Sequence, residues 1–131
     1  MKSVAVLISL IYCLFSFSVK AEAPTCRVHE SGPYCKYYGK VKNLYINEGN
    51  LLLMYFDAAG NISDIRSHIP EAWSGSVHVA AAYNTADNPD FANKLYSTLL
   101  TAQASKRKVS IQMRGVTSGY LKIDRVWLAE E

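Results

Sequence analysis

Two short clusters combine aromatic rings with small polar side chains at places where the sequence has no helical or strand period. The first is Trp73-Ser74 and the second is Tyr83-Asn84-Thr85. A sugar ring needs an aromatic face for its apolar C–H groups and short polar side chains for its hydroxyl groups, and Trp and Tyr suit the first need. The sequence therefore predicts glycan-binding residues at 73–74 and 83–85. The alternative for Trp73 is a structural loop anchor.

The cysteine pattern predicts one disulfide. Cys13 lies in an apolar N-terminal segment, whereas Cys26 and Cys35 lie nine positions apart beyond it. Two cysteines in a small exported domain are typical of a disulfide framework. A metal site that includes the intervening His29 is the alternative, but the spacing does not match a zinc hairpin and no fourth ligand is near. We predict a disulfide between Cys26 and Cys35 and no metal site.

The titratable side chains do not form a catalytic pattern. The histidines are isolated and lack paired spacing: His29, His68 and His78. The candidate carboxylate pairs are spread over loops or lie at a helix start: Asp57 with Asp64, and Asp87 with Asp90. The sequence also contains no GxSxG motif and no glycine-rich phosphate loop. We predict a non-catalytic protein without a cofactor.

Residues 1–21 have the features of a secretory signal peptide. Met1-Lys2-Ser3 is a basic start, residues 4–19 are apolar apart from serines, and Val19-Lys20-Ala21 fits a cleavage site. We predict cleavage after Ala21, a secreted or periplasmic protein, and no stable membrane insertion. An uncleaved N-terminal anchor is the alternative, because the apolar segment is near the shortest length that spans a bilayer.

The mature chain, residues 22–131, is nearly neutral. The full chain carries a net charge of +3, and removal of Lys2 and Lys20 leaves 12 Lys and Arg against 11 Asp and Glu. A nucleic-acid-binding domain usually carries a strong positive charge, so we predict no nucleic-acid partner. The cluster Lys106-Arg107-Lys108 is interpreted as a solvated helix end, and contact with acidic glycans or a membrane surface is the alternative.

The periodicity of apolar residues predicts mainly β structure with one helix. Residues 22–36 are predicted to be an N-terminal arm that carries the disulfide, residues 40–57 a β-hairpin, residues 61–75 irregular and residues 76–82 a third strand. Asn88 and Pro89 begin a helix whose apolar face has helical spacing: Phe91, Leu95, Leu99 and Ala102. Residues 109–114 and 121–128 form the last two strands, with a bulge near Asp124-Arg125.

The predicted element order is β-β-β-α-β-β in a single domain, residues 22–131. Five strands with a helix between the third and fourth is the order of an OB-fold, a five-stranded Greek-key barrel. An unrelated α+β sandwich has a similar order and is the alternative, because element order does not fix strand pairing. We predict an OB-like barrel.

The C-terminal third of the chain resembles a known family. The segments FANKLYSTLLTA (residues 91–102), KVSI (108–111) and YLKIDRVWL (120–128) are similar to the helix and hairpin of the B subunits of bacterial AB5 toxins. The likeness extends to the subtilase-cytotoxin and pertussis-like B subunits and to small uncharacterised exported proteins of Gram-negative bacteria. The resemblance implies a ring of identical subunits, a pentamer if toxin-like, that binds cell-surface glycans alongside a separate catalytic subunit.

These observations lead to one prediction and two alternatives. We predict an exported, non-catalytic binding subunit that forms a homo-oligomer and binds glycans. The first alternative is a periplasmic binding or accessory protein of the same fold without a toxin partner. The second is a small exported enzyme or enzyme inhibitor.

Overall fold

The computed structural model describes residues 21–130, so the predicted signal peptide lies outside the described residues apart from Ala21. The chain folds into seven strands and two α-helices, with a 3₁₀ turn at Pro70–Trp73. In chain order the elements are β1 (Thr25–His29), β2 (Gly32–Gly39), β3 (Leu44–Ile46), β4 (Leu51–Tyr55), α1 (Ile62–His68), β5 (Ala80–Asn84), α2 (Pro89–Ser105), β6 (Val109–Thr117) and β7 (Tyr120–Leu128).

All seven strands belong to one sheet in the order β1-β2-β6-β7-β5-β4-β3. Every neighbouring pair is antiparallel except β5 and β7, which run parallel. The mainly β prediction is confirmed. The prediction of five strands and one helix is wrong in its numbers, and the hydrogen-bonded sheet is not closed into a barrel, since β1 and β3 are its outer strands.

The open sheet must nevertheless curl strongly. Five inter-strand spacings separate β2 from β3 in the sheet order, which is about 24 Å in a flat sheet. Residues 40–43 join these strands directly, and the five Cα steps from Gly39 to Leu44 reach at most about 19 Å. The link also pairs with β4, because Lys42 N donates to Tyr55 O at 3.2 Å. The first and last strands of this six-strand set therefore lie close together around the core.

The core is filled from the concave side of this sheet and closed by α2. Cys35, Tyr37 and Gly39 alternate as buried positions on β2, and Ile111 and Met113 continue the same face on β6. The helix prediction is confirmed: the Asn88 side chain accepts from Phe91 N at 3.0 Å, and the apolar stripe packs into the core through Leu95, Leu99 and Ala102. The bulge is also confirmed, because Asp124 is the extra residue between Ile123 and Arg125 in the pairing with β6.

Three segments differ from their predictions. Residues 22–36 contain most of a β-hairpin rather than an aperiodic arm. The sequence did not indicate this strand, because its buried positions are occupied by Cys, Tyr and Gly, which do not form a clear alternation of apolar residues. Residues 61–75 contain α1 and the 3₁₀ turn, since the Asn61 side chain caps a helix too short to show a full apolar stripe. The third strand lies at Ala80–Asn84, because residues 77–79 form a turn.

The β1–β2 hairpin carries the predicted disulfide. Cys26 and Cys35 are directly opposite each other in the antiparallel pairing and are bonded through their sulfur atoms. The predicted hairpin over residues 40–57 is present as β3 and β4, with the turn at Asn47–Asn50. The disulfide therefore ties the sheet's outermost strand, β1, to its neighbour.

Candidate functional site

A cleft of ≈ 560 Å³ lies between the N-terminal half of α2 and the turn that joins β3 to β4. The buried side chains of Leu52 and Ala92 form its floor, and the partly exposed ring of Tyr96 stands at its edge. Ile46, Asn50, Thr85, Ala86, Pro89 and Asn93 complete the lining. We call this space the α2 cleft.

Local structure holds the walls of the α2 cleft in place. Asn50 adopts a left-handed backbone conformation, φ 65°, at the end of the β3–β4 turn. Its carbonyl oxygen accepts two hydrogen bonds from Thr85, from the backbone N at 2.7 Å and from Oγ1 at 3.2 Å. On the other side, the Asn88 cap and Pro89 fix the first turn of α2. The cleft is therefore built from two stretches of the chain that are distant in sequence, residues 46–52 and 85–96.

The α2 cleft combines an apolar floor with unused polar groups. The side-chain amides of Asn50 and Asn93 and the hydroxyl group of Tyr96 have no hydrogen-bond partner among residues 21–130. An amide presents a donor and an acceptor side by side, which matches two neighbouring hydroxyl groups of one ligand. The Tyr96 ring, 36% exposed, offers an apolar face beside them. This chemistry suits an uncharged, amphipathic ring such as a monosaccharide.

The three predicted residues at 83–85 have different environments. Thr85 lines the α2 cleft. Tyr83 is 6% exposed and packs edge-on against Phe91, with the ring centroids 4.9 Å apart. Asn84 accepts from Ala86 N at 3.0 Å through its side-chain oxygen, which shapes the turn after β5. Of this group, Thr85 is the residue that the structure places in a cleft.

Trp73 and Ser74 lie at the other end of β5. The backbone N of Ser76 donates to Gly119 O at 2.8 Å, close to the first residues of β5. Asn84, by contrast, is the last residue of β5. Trp73 is 71% exposed, and the Arg66 guanidinium lies 5.3 Å from its ring centroid while donating to the carbonyl oxygens of the 3₁₀ turn. The ring is thus held at the edge of a shallow hollow of ≈ 270 Å³. The two predicted clusters do not share one site.

Two titratable side chains of the described chain, Tyr37 and His68, make contacts that stabilise local structure. Burial raises the pKa of Tyr37 to about 12, because its ring lies in the core. Its hydroxyl donates to Lys40 O and accepts from Asp57 N at 3.1 Å. His68 Nδ1 lies 2.9 Å from Asp64 O within α1. Within residues 21–130, no group of three or more His, Cys, Asp or Glu is placed to hold a metal ion.

Sequence reasoning missed Asn50, Asn93 and Tyr96. A signal for two of them is present in α2, where a second stripe follows helical offsets of four, three and four beside the buried stripe: Pro89, Asn93, Tyr96 and Leu100. This stripe is exposed, so an aromatic residue on it indicates a contact surface rather than the core. The sequence marks Asn50 as a turn residue but not as a cleft residue, because its place in the cleft depends on its hydrogen bonds with Thr85.

Comparison of the chain with protein-family models, with curated proteins and with solved structures finds no match. None of the helices in the described part of the chain is both long enough and apolar enough to cross a membrane.

Proposed function

We propose that the protein is an exported, non-catalytic carbohydrate-binding protein whose α2 cleft holds one sugar ring. The observation that carries this proposal is the juxtaposition of the Tyr96 ring with the free amides of Asn50 and Asn93 over an apolar floor. The sugar's C–H face packs on Tyr96 and its hydroxyl groups pair with the two amides. Trp73, with Ser74 beside it, is a second contact at the opposite end of β5.

Export is supported by two features of different kinds. Residues 1–21 have the basic start, apolar middle and small-residue end of a signal peptide. The Cys26–Cys35 disulfide is a bond that persists in oxidising compartments. We therefore place the mature protein in the periplasm or outside the cell.

We further propose that the sheet is an incompletely closed OB-like barrel of the toxin B-subunit type. Three features support this: the parallel pairing of β5 with β7, the position of α2 between β5 and β6, and the short link from β2 to β3. With β2 and β3 counted as two halves of one bent first strand, and with α1 and the 3₁₀ turn counted as an insertion between β4 and β5, the order β-β-β-α-β-β follows. The β1 strand is then an N-terminal addition to the barrel.

A ring of identical subunits is part of this proposal. No strand of residues 21–130 pairs with the outer side of β1 or of β3. Unpaired edges are templates for pairing with another chain, and a head-to-tail contact between the two different edges forms a ring if the rotation closes. We propose a pentamer with a separate catalytic subunit; a monomeric accessory protein is the alternative.

A glycan array with three variants tests the binding site. Asn93→Ala replaces an exposed helical residue with a better helix former, so the variant should stay folded while it loses one amide. We expect Asn93→Ala and Tyr96→Ala each to weaken binding at least about tenfold, equivalent to about 1.4 kcal/mol. Leu100→Ala, one turn further along the same exposed stripe and outside the cleft lining, is the matched control.

Other array results would contradict the proposal in defined ways. If Trp73→Ala abolishes binding and the two α2 variants bind normally, the sugar site lies at the hollow beside Arg66. If the wild-type protein binds no glycan, carbohydrate binding itself is wrong. Light scattering at micromolar concentration tests the ring separately, because a mass of one mature chain would exclude it and leave sugar binding intact.

A further inference from the structure

The outward face of β2, β6 and β7 carries aromatic and basic side chains in register. Tyr38 is opposite Ser110, and Ser110 is opposite Trp127, so these residues form one row across three strands. Lys36, Gln112 and Arg125 form the next row by the same pairings. Directly paired residues share a face of the sheet. We call these six residues the outer sheet face.

Two basic hollows lie along the outer sheet face. The first, ≈ 380 Å³, is lined by Tyr38 with Lys40, Lys106, Arg107 and Lys108. The second, ≈ 320 Å³, is lined by Tyr34 with Arg114, Arg125 and His29. Tyr34 and Tyr38 are four residues apart on β2, which places the hollows about 13 Å apart along the strand. Each hollow thus pairs one tyrosine ring with two or more Lys or Arg side chains.

The cations near each ring are held in place by neighbouring groups. Lys108 Nζ lies 5.1 Å from the Tyr38 ring centroid and 3.3 Å from Glu22 Oε1. Arg114 lies 5.6 Å from the Tyr34 ring centroid, and its guanidinium donates to Ser31 O and Oγ at 2.8 Å. These contacts orient the tyrosine rings and the cations together.

Positive charge is in excess on this side of the molecule. Glu22 pairs with Lys108, Asp124 lies 3.4 Å from Arg114, and Glu130 lines the first hollow. Four other cations have no ion pair within the described part of the chain: Lys36, Lys40, Lys106 and Arg125. Lys36 and Arg125 lie in the row between the two tyrosines, so the excess charge connects the hollows.

We propose that the outer sheet face binds an extended anionic polysaccharide, with sulfate or carboxylate groups in the two hollows and sugar rings against Tyr38 and Trp127. Both rings are nearly half exposed, at 47% and 46%. One extended chain can place an acidic group in each hollow and a sugar ring against each exposed aromatic face, because the hollows lie about 13 Å apart along β2. The site is distinct from the α2 cleft and does not depend on it.

Binding of heparin-derived oligosaccharides tests this proposal. A dodecasaccharide spans both hollows and a disaccharide fills one, so we expect the dodecasaccharide to bind at least tenfold more tightly. Lys36→Gln with Arg125→Gln should weaken dodecasaccharide binding at least tenfold. Lys94→Gln with Lys122→Gln removes the same charge from residues outside the outer sheet face and is the matched control. Circular dichroism checks that each variant is folded.

Each other outcome contradicts the proposal. Equal losses in the two double variants would mean that net charge alone attracts the ligand. Equal affinity for neutral dextran would exclude charge recognition, and tighter binding to anionic phosphatidylglycerol vesicles or to single-stranded DNA would identify another partner.

If the first double variant fails to fold, Lys40→Gln with Lys106→Gln tests the first hollow. Asn93→Ala should not change heparin binding, so this result is independent of the α2 cleft.

Discussion

Replacing Tyr37 with phenylalanine removes one hydroxyl group that connects two parts of the curled sheet. Tyr37 lies on β2, and its hydroxyl bonds to Lys40 O in the link to β3 and to Asp57 N just after β4. The ring stays in its place because its packing against Phe56, at 4.8 Å between centroids, does not involve the oxygen. The substitution therefore tests the hydrogen bonds rather than the core packing.

The expected loss follows from the two partners. A net hydrogen bond contributes about 1 kcal/mol, and a backbone group left without a partner costs about 1–3 kcal/mol. Lys40 and Asp57 are both exposed at the surface, so water can partly replace the lost hydrogen bonds and the cost stays below the upper limit. We therefore expect Tyr37→Phe to lower the free energy of unfolding by about 2–3 kcal/mol at neutral pH.

The pH dependence gives a second, independent signature. Burial raises the pKa of Tyr37 to about 12 in the folded protein, against about 10 in the unfolded chain. Above pH 10 the unfolded chain releases this proton more readily, so stability is lost as the pH rises from 10 towards 12. For these two pKa values the wild-type protein should lose about 1.4 kcal/mol between pH 8 and pH 11 relative to Tyr37→Phe.

Urea denaturation of both proteins at pH 8 and pH 11 measures both effects. Tyr38→Phe is the matched control, because Tyr38 is the next residue, its ring is about half exposed and its hydroxyl bonds to no described residue. The control should change stability by less than about 0.5 kcal/mol. Equal stability of Tyr37→Phe and the wild-type protein at pH 8, or parallel losses for both at pH 11, would refute the role assigned to this hydroxyl.

Two further predictions concern the covalent and backbone constraints. Reduction of the Cys26–Cys35 disulfide should lower stability by about 2–3 kcal/mol in urea denaturation, and alkylation of the unreduced native protein should label neither sulfur. Gly75→Ala should cost at least about 2 kcal/mol, because Gly75 has φ +102° and an added Cβ would lie 2.2 Å from Gly119 O. Gly32→Ala shares that φ but meets no atom within 4 Å, so a smaller loss there would isolate the collision with Gly119.

The candidate site was predictable only in part. Thr85 was identified from the small polar residues after the third predicted strand, and the structure places it in the α2 cleft. Tyr83 belongs to the same sequence cluster but is buried, because the alternation of β5 turns its ring towards Phe91. Asn50 joins the site through its bonds with Thr85, which is 35 residues away in the chain. Such a contact depends on the pairing of β4 with β5.

The sequence by itself determined features that depend on neighbouring residues. The Asn88 cap and the apolar spacing specify α2, Asn47–Asn50 specifies the β3–β4 turn, and two nearby cysteines specify the disulfide. Tertiary structure alone decided the strand order, the parallel pairing of β5 with β7, and the rows of the outer sheet face. Local patterns fix short-range backbone geometry, whereas the choice among possible strand pairings depends on how all the apolar faces pack together around one core.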